Sequence, residues 1–170
     1  MIGTGLNYNP RAWEKAFKEE KNNLLYFLAN KKVTIEHIGA TSIANCRSNH
    51  NVDILISVPK MPDIYTIEAL LLSKGYREIK EFSTKDCLVL VKKSKVLDQS
   101  ITIRIAEYAS MIFNRIHAFK IVLKDEYDRV QRYNAFREEL LDQCGKNWRK
   151  YHRIKVDYIN AMIDEYFRFE

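Results

Sequence analysis

Most of the chemistry open to this sequence lies in the run Glu36-His37-Ile38-Gly39-Ala40-Thr41-Ser42 and in Asp53, which follows after ten intervening residues. A strand that turns through glycine into a helix points backbone N–H groups outward at the helix's positive end, where an anion is stabilised. Gly39 has no side chain to keep a phosphate from that backbone, and Ala40, Thr41 and Ser42 supply further N–H groups and two hydroxyls. Asp53, on the next strand, is expected to stand opposite the turn and to hold a divalent cation through its oxygens. Glycine followed by Thr-Ser is also the pattern of a plain helix N-cap, so spacing alone leaves both readings open. A lone aspartate in an apolar strand favours the site, because carboxylates are rarely buried without a partner or an ion. His37 reads either as a general base or as a buried histidine bonded to a neighbouring carbonyl or carboxylate. His50 and Asn51, close to Asp53, are candidate polar contacts.

The elements that would position these residues are legible from periodicity. Asn9-Pro10 starts a helix that runs to about Asn30, with Trp13, Ala16, Phe17, Leu24 and Leu28 at helical spacing. Alternation over Val33–Ile38 predicts a strand, and Asn51–Ser57 a second one. In the second, Val52, Ile54 and Ile56 share one face and Asn51, Asp53 and Leu55 the other. Pro59 and Pro62 are expected to break the chain, before a helix over Ile64–Ser73 that stops at Gly75. Arg77–Lys93 predicts one or two strands around a polar turn near Ser83–Asp86, and Ile101, Ile103 and Ile105 mark another strand. The last third reads as helices opened by Ser110, by Asp125 and after Gly145, the final one striped with Trp148, Tyr151, Tyr158, Met162 and Tyr166. The fold class expected is α/β (α+β): a mixed sheet backed by helices, with a C-terminal helical bundle. A single domain is expected over residues 1–170, its core at about 8–108 and its C-terminal helices at about 110–168.

Composition narrows the function classes. The net charge of +6 divides as +1, +3 and +2 over residues 1–70, 71–110 and 111–170, so no segment is a dedicated basic arm. That balance suits phosphate-bearing ligands without demanding nucleic acid. Cys46, Cys87 and Cys144 form neither a CxxC pair nor a Cys/His cluster, which argues against structural zinc and for free thiols. No apolar run approaches the roughly 20 residues that span a bilayer, and no basic segment leads into an apolar one near Met1. The expected address is cytoplasmic. Lys146, Arg149, Lys150 and Arg153 recur at i, i+3, i+4, i+7, either a solvated helix surface or a wall that draws an anion toward the cleft.

From about Tyr8 to Ile159 the chain resembles the GrpB family, a branch of the DNA-polymerase-beta-like nucleotidyltransferase superfamily. The resemblance rests on Tyr8, Pro10, Trp13 and Phe17, and on Glu36–Ser42, where Ala40 replaces a serine. It extends through Val52–Ile56 to Tyr151, Lys155, Tyr158 and Ile159. It implies a nucleotidyltransferase-like fold, a site for a nucleotide or other phosphorylated small molecule, and phosphate contact by Lys155. The superfamily's chemistry is nucleotidyl or phosphoryl transfer with two metal ions roughly 4 Å apart, held by carboxylates at i, i+2 and a third nearby. Here the i±2 neighbours of Asp53 are Asn51 and Leu55. Where relatives resemble His-x-His followed by Gly-Ser, this chain has Thr102 and Arg104, then Ala109-Ser110. A guanidinium binds no metal but can grip a phosphate in bidentate fashion. The loop beyond the turn, with Ile43-Ala44-Asn45-Cys46 and Asn49-His50, departs from the family's pattern too.

Three functions are therefore weighed. The first is a nucleotidyltransferase-like protein that binds a nucleotide or phosphorylated small molecule, with catalysis weak or lost. The second is an active Mg²⁺-dependent transferase acting on a small molecule, with Asp53 as catalytic metal ligand and Glu36, Glu107 or the substrate completing the set. The third is an RNA-associated factor that uses the basic final helix.

Overall fold

The structure, a computed structural model, describes residues 5–49, 51–93, 100–124 and 126–168. The elements, in chain order, are α1 (Pro10–Phe27), β1 (Thr34–Ile38), a 3-10 turn (Ala40–Ser42), β2 (Asn51–Val58), α2 (Met61–Ser73), β3 (Arg77–Glu78), β4 (Cys87–Lys93) and β5 (Ser100–Glu107). The helices α3 (Met111–Lys124), α4 (Tyr127–Cys144) and α5 (Trp148–Tyr166) complete the chain. The sheet runs β1-β2-β5-β4-β3, with β2 and β5 parallel at its centre and the other pairs antiparallel. The expected mixed sheet with C-terminal helices is what forms.

The two faces of β2 explain the layering. Val52, Ile54, Ile56 and Val58 point to one side, where they meet Ile101, Ile103 and Ile105 of β5, Trp13 and Leu24 of α1, and Ile64, Ile67 and Leu71 of α2. Each such fully buried side chain contributes about 1.5–3 kcal/mol relative to its exposed state, which makes this layer the main source of stability. The opposite face holds a smaller apolar set, Ile38, Leu55, Cys87, Val89 and Ala106, against which Phe113 and Ile116 of α3 pack. Asp53 belongs to this second face.

The caps follow local chemistry. Asn9 Oδ1 accepts from the Ala12 N–H at 3.3 Å, and Ser110 Oγ accepts from the Phe113 N–H at 3.2 Å. Gly75 ends α2 at φ +84, in the left-handed region that favours glycine. Several expectations need correction. Pro62 does not break the chain: it lies in the first turn of α2, where its missing N–H costs nothing. α1 ends at Phe27 rather than Asn30. Lys146 precedes α5, whose N-cap is Asn147, so the cationic stripe loses its first member. Trp148, expected in the apolar stripe, is exposed. Asp125, expected to open a helix, falls outside the described residues.

Candidate functional site

β1 and β2 are antiparallel with Ile38 opposite Asp53, so the glycine that follows Ile38 arrives beside the aspartate. Gly39 turns the chain at φ +70, and a Cβ built there would lie 2.7 Å from Asp53 Oδ2. Any side chain would displace the carboxylate. The 3-10 turn that follows is closed by the Ser42 N–H to Gly39 O bond (3.1 Å) and the Ile43 N–H to Ala40 O bond (3.2 Å). The N–H groups of Ala40 and Thr41 therefore have no partner inside the turn, as at any helix start.

Across the parallel register Asp53 faces Thr102, and Leu55 faces Arg104. Paired residues share a face, so Asp53, Thr102 and Arg104 lie on the same side of the sheet. Lys155 of α5 and Arg137 of α4 complete the surroundings. Burial pushes the Asp53 carboxyl above its ordinary value, against the pull of Arg104, Lys155 and Arg137. Burial likewise brings the Lys155 ammonium down to about 8, opposed by Asp53 and reinforced by Arg104 and Arg137. One carboxylate thus stands among three cations. Gly39, Asp53, Thr102, Arg104 and Lys155 each keep part of their surface accessible, so the cluster, called the Asp53 recess below, is not sealed inside the core.

The wall of this recess includes residues the sequence reading passed over. His152, three residues before Lys155, stacks on Phe82 with centroids 4.0 Å apart, and burial followed by Lys155 and Arg104 holds it neutral down to about 4. Arg104 also lies near the Cys87 thiol, whose own ionisation burial pushes up against the pull of that guanidinium. Arg137 is 3% exposed. It donates to the Arg47 carbonyl, to Asn134 Oδ1 at 3.0 Å and to Cys46 Sγ at 3.5 Å, and its guanidinium lies 4.3 Å from the Tyr133 ring centroid. Asn134 accepts from the Arg47 N–H and donates to the Asn45 carbonyl, both at 2.9 Å. Helix α4 therefore fixes the loop that leaves the turn. The polar pair Asn134 and Arg137, one helical turn apart within an otherwise ordinary amphipathic segment, was the available signal.

Other expected site residues are placed elsewhere. His37 points to the opposite face, toward α1, where it stacks on Phe17 (4.6 Å, 14° between planes) and shares a 2.8 Å hydrogen bond with Thr41 Oγ1. Its partner is thus a hydroxyl, not a carbonyl or carboxylate. Thr41 is itself buried with its hydroxyl on His37, and Ser42 Oγ donates to Gly39 O at 2.8 Å, so both hydroxyls of the turn are engaged. Glu36 lies on the Asp53 face but accepts from His117 Nε2 at 3.0 Å. Glu107 pairs with Val58 and by alternation lies on the far side from Arg104. Asn51 shares the Asp53 face at the start of β2, and His50 lies outside the described residues.

The fold's metal chemistry can be tested against these side chains. Among the described residues, no group of three or more His, Cys, Asp or Glu is placed to hold an ion. Asp53 has the uncharged Asn51 and Leu55 at i±2, and its charged neighbours are cations. A two-metal site does not fit this set. A separate cavity of about 410 Å³ lies between α4 and α5, lined by Arg129, Arg132, Tyr158, Met162, Glu165 and Tyr166 among others. It shares no residue with the Asp53 recess.

The parallel β2–β5 pair in a mixed sheet, with a glycine turn leading out of β1, is a nucleotidyltransferase-like fold. Cid1 poly(U) polymerase, in a structure bound to MgATP, matches 83% of this chain over 44% of its own, with a TM-score of 0.53 and 13% identity. The crystal structure of the conserved protein GrpB from Enterococcus faecalis is similar over 94% of this chain and 95% of its own, with a TM-score of 0.78 and 22% identity. The GrpB protein family model matches residues 6–165, and the chain belongs to that family. The UPF0157 protein BH1888 of Halalkalibacterium halodurans is 36% identical over 73 residues, a match that spans 43% of this chain and 37% of the relative. No helix among the described residues is long and apolar enough to cross a membrane.

Proposed function

We propose that this protein binds a nucleotide or another phosphate-bearing small molecule in the Asp53 recess, with transfer chemistry weak or lost. The observation that carries the reading is the excess of positive charge there: Arg104, Lys155 and Arg137 around one carboxylate, beside the Gly39 turn. Ala40 and Thr41 N–H groups would donate to phosphate oxygens, Arg104 would hold them in bidentate fashion, and Lys155 would supply a compact positive charge. Thr102 and Asn51, on the same face, are candidate contacts for the rest of the ligand. The nucleotide-bound state of the Cid1 neighbour is consistent with a nucleotide as one such ligand. An active transferase would need further carboxylates, and neither Glu36, bonded to His117, nor Glu107, on the opposite face, is placed to help.

Calorimetry with a panel of nucleoside triphosphates, together with a pyrophosphate-release assay, tests this. Binding without pyrophosphate release is expected. Steady release that Asp53→Asn abolishes would establish the transferase instead, and Asp53→Asn leaving folding and binding both unaltered would remove Asp53 from the site.

A further inference from the structure

The recess fails as a metal site in a way that says what it holds instead. We propose that the cations of Arg104, Lys155 and Arg137 stand in for divalent metal, so that the recess binds a doubly charged phosphomonoester group in metal-free form. The inference rests on the phosphate-binding reading above and narrows it to a ligand class.

Charge balance is the first argument. With all four groups ionised, the three cations and one carboxylate leave a surplus of two positive charges, which a phosphomonoester dianion neutralises. Two magnesium ions would add four more positive charges against that single carboxylate. In a recess where burial already disfavours every charge, that addition is repulsive rather than binding.

Position is the second. Arg104 lies on β5, in register with Leu55, two residues along from the Asp53–Thr102 pair. A guanidinium on a central strand adds a fork of donors to the sheet face that carries Asp53. Arg137 acts differently. Its bonds to Arg47, Asn134 and Cys46 anchor it to the loop behind the turn, where it is a fixed background charge rather than a ligand contact. Lys155, with its ammonium 5.7 Å from the Tyr151 ring centroid, carries a compact charge on a four-carbon stem. Asp53 then has an unexpected role. Packed against Gly39, it competes with the ligand for the same cations and keeps the empty recess from being an uncompensated positive cluster.

This makes the sign of one substitution diagnostic. Removing a metal-ligating carboxylate abolishes binding, whereas removing a competing carboxylate strengthens it. Titrations of inorganic phosphate, AMP and ATP into the full chain, in EDTA and in excess Mg²⁺, provide the measurement, with wild type, Asp53→Asn and Lys155→Met compared. Wild type should bind AMP at least as tightly in EDTA as in Mg²⁺. Asp53→Asn should tighten AMP by roughly fivefold or more, and Lys155→Met should weaken it by tenfold or more. The wild-type comparison of EDTA with Mg²⁺ stands even if a variant does not fold. Binding that appears only with Mg²⁺, or that Asp53→Asn destroys in a folded protein, overturns the metal-free proposal while leaving a phosphate ligand in place. Absence of binding by all three probes in both buffers overturns the underlying reading as well.

Discussion

Asp53 Oδ2 occupies the space that a β-carbon on Gly39 would need, 2.7 Å from where that carbon would stand. The contact ties the end of β1 to β2, so the shape of the Gly39 turn and the position of the carboxylate are a single feature. Glycine is required here twice over, by φ of +70 and by this lack of room.

Gly39→Ala should therefore cost more than a left-handed alanine alone, which is about 1–2 kcal/mol. Gly75 supplies the control: its φ is +84, but nothing lies within 4 Å of its would-be β-carbon. Thermal melts should place Gly39→Ala below Gly75→Ala, and Asp53→Ala added to Gly39→Ala should recover the steric part, a non-additivity expected of residues in contact. Equal losses for the two glycines would mean that the carboxylate moves aside freely.

His37 and His152 should each make stability rise with pH between about 4 and 6.5, against the opposite slope of Asp53, whose carboxyl burial raises. Burial, aided by Lys120 and opposed by Glu14, brings His37 down to about 4, and burial with Lys155 and Arg104 brings His152 to about 4 as well. Unfolded histidine titrates near 6.5, so inside that window the unfolded chain binds more protons than the folded one and acid favours unfolding. The contribution is full above 6.5 and falls away toward 4, on the order of 2 kcal/mol for each histidine. Urea midpoints measured from pH 4 to 8 should show this rise, and His37→Gln should flatten part of it. An unchanged slope in His37→Gln would show that the stacked ring is protonated in the fold.

The strand pattern was readable because β2 is half apolar. Alternation separated Val52, Ile54 and Ile56 from Asp53, and the same rule, run along β1, puts His37 with Ile35 on the α1 side. Composition also exposed the missing carboxylates at Asn51 and Leu55. His152 left no signal, and Arg137 left only its polar pairing with Asn134 one helical turn away. Each sits in a helix of ordinary polarity, and only the packing of α4 against the loop and of α5 against Phe82 brings them to the recess. Long-range pairing of that kind leaves no period in the sequence. The hydroxyls of Thr41 and Ser42 misled for the opposite reason: their types suit phosphate, but local hydrogen bonds, to His37 and to the Gly39 carbonyl, claim them first.

Ala109 carries a strain of its own. It stands in the left-handed region at φ +58, between β5 and α3. An L side chain there costs about 1–2 kcal/mol, offset partly by the smaller entropy loss of alanine on folding. Ala109→Gly should raise stability by about 0.5–1 kcal/mol in denaturant titrations. A loss of stability would mean that the alanine methyl makes contacts worth more than the strain.

Arg137 and Arg47 both reach across the loop at residues 45–47, yet they should differ sharply. Arg137 is buried, and Arg137→Leu strands the Arg47 carbonyl and unsettles Asn134, which predicts a loss of about 3 kcal/mol. Arg47 makes an exposed ion pair with Glu138, and Arg47→Ala should cost less than about 1 kcal/mol. Chemical denaturation of both variants decides this. Similar values would mean that the loop is held by its own backbone rather than by α4.

The cations of α5 divide by exposure. Lys150 and Arg153 face solvent, Arg149 pairs with Glu81, and Lys155 is drawn into the recess with Asp53. A charge-assisted contact is worth about 1.5–3 kcal/mol, so Lys155→Ala should weaken phosphate-ligand affinity by roughly tenfold or more. Exposed charges are screened at physiological salt, and the pair Lys150→Ala with Arg153→Ala should leave that affinity within about twofold. The same double variant also examines the RNA reading. Electrophoretic mobility shifts with single-stranded RNA, at salt from about 50 to 200 mM, should show no steep loss of affinity attributable to these two residues. If they carry both the affinity and its salt dependence, the outer face of α5 is the working surface and the recess is not.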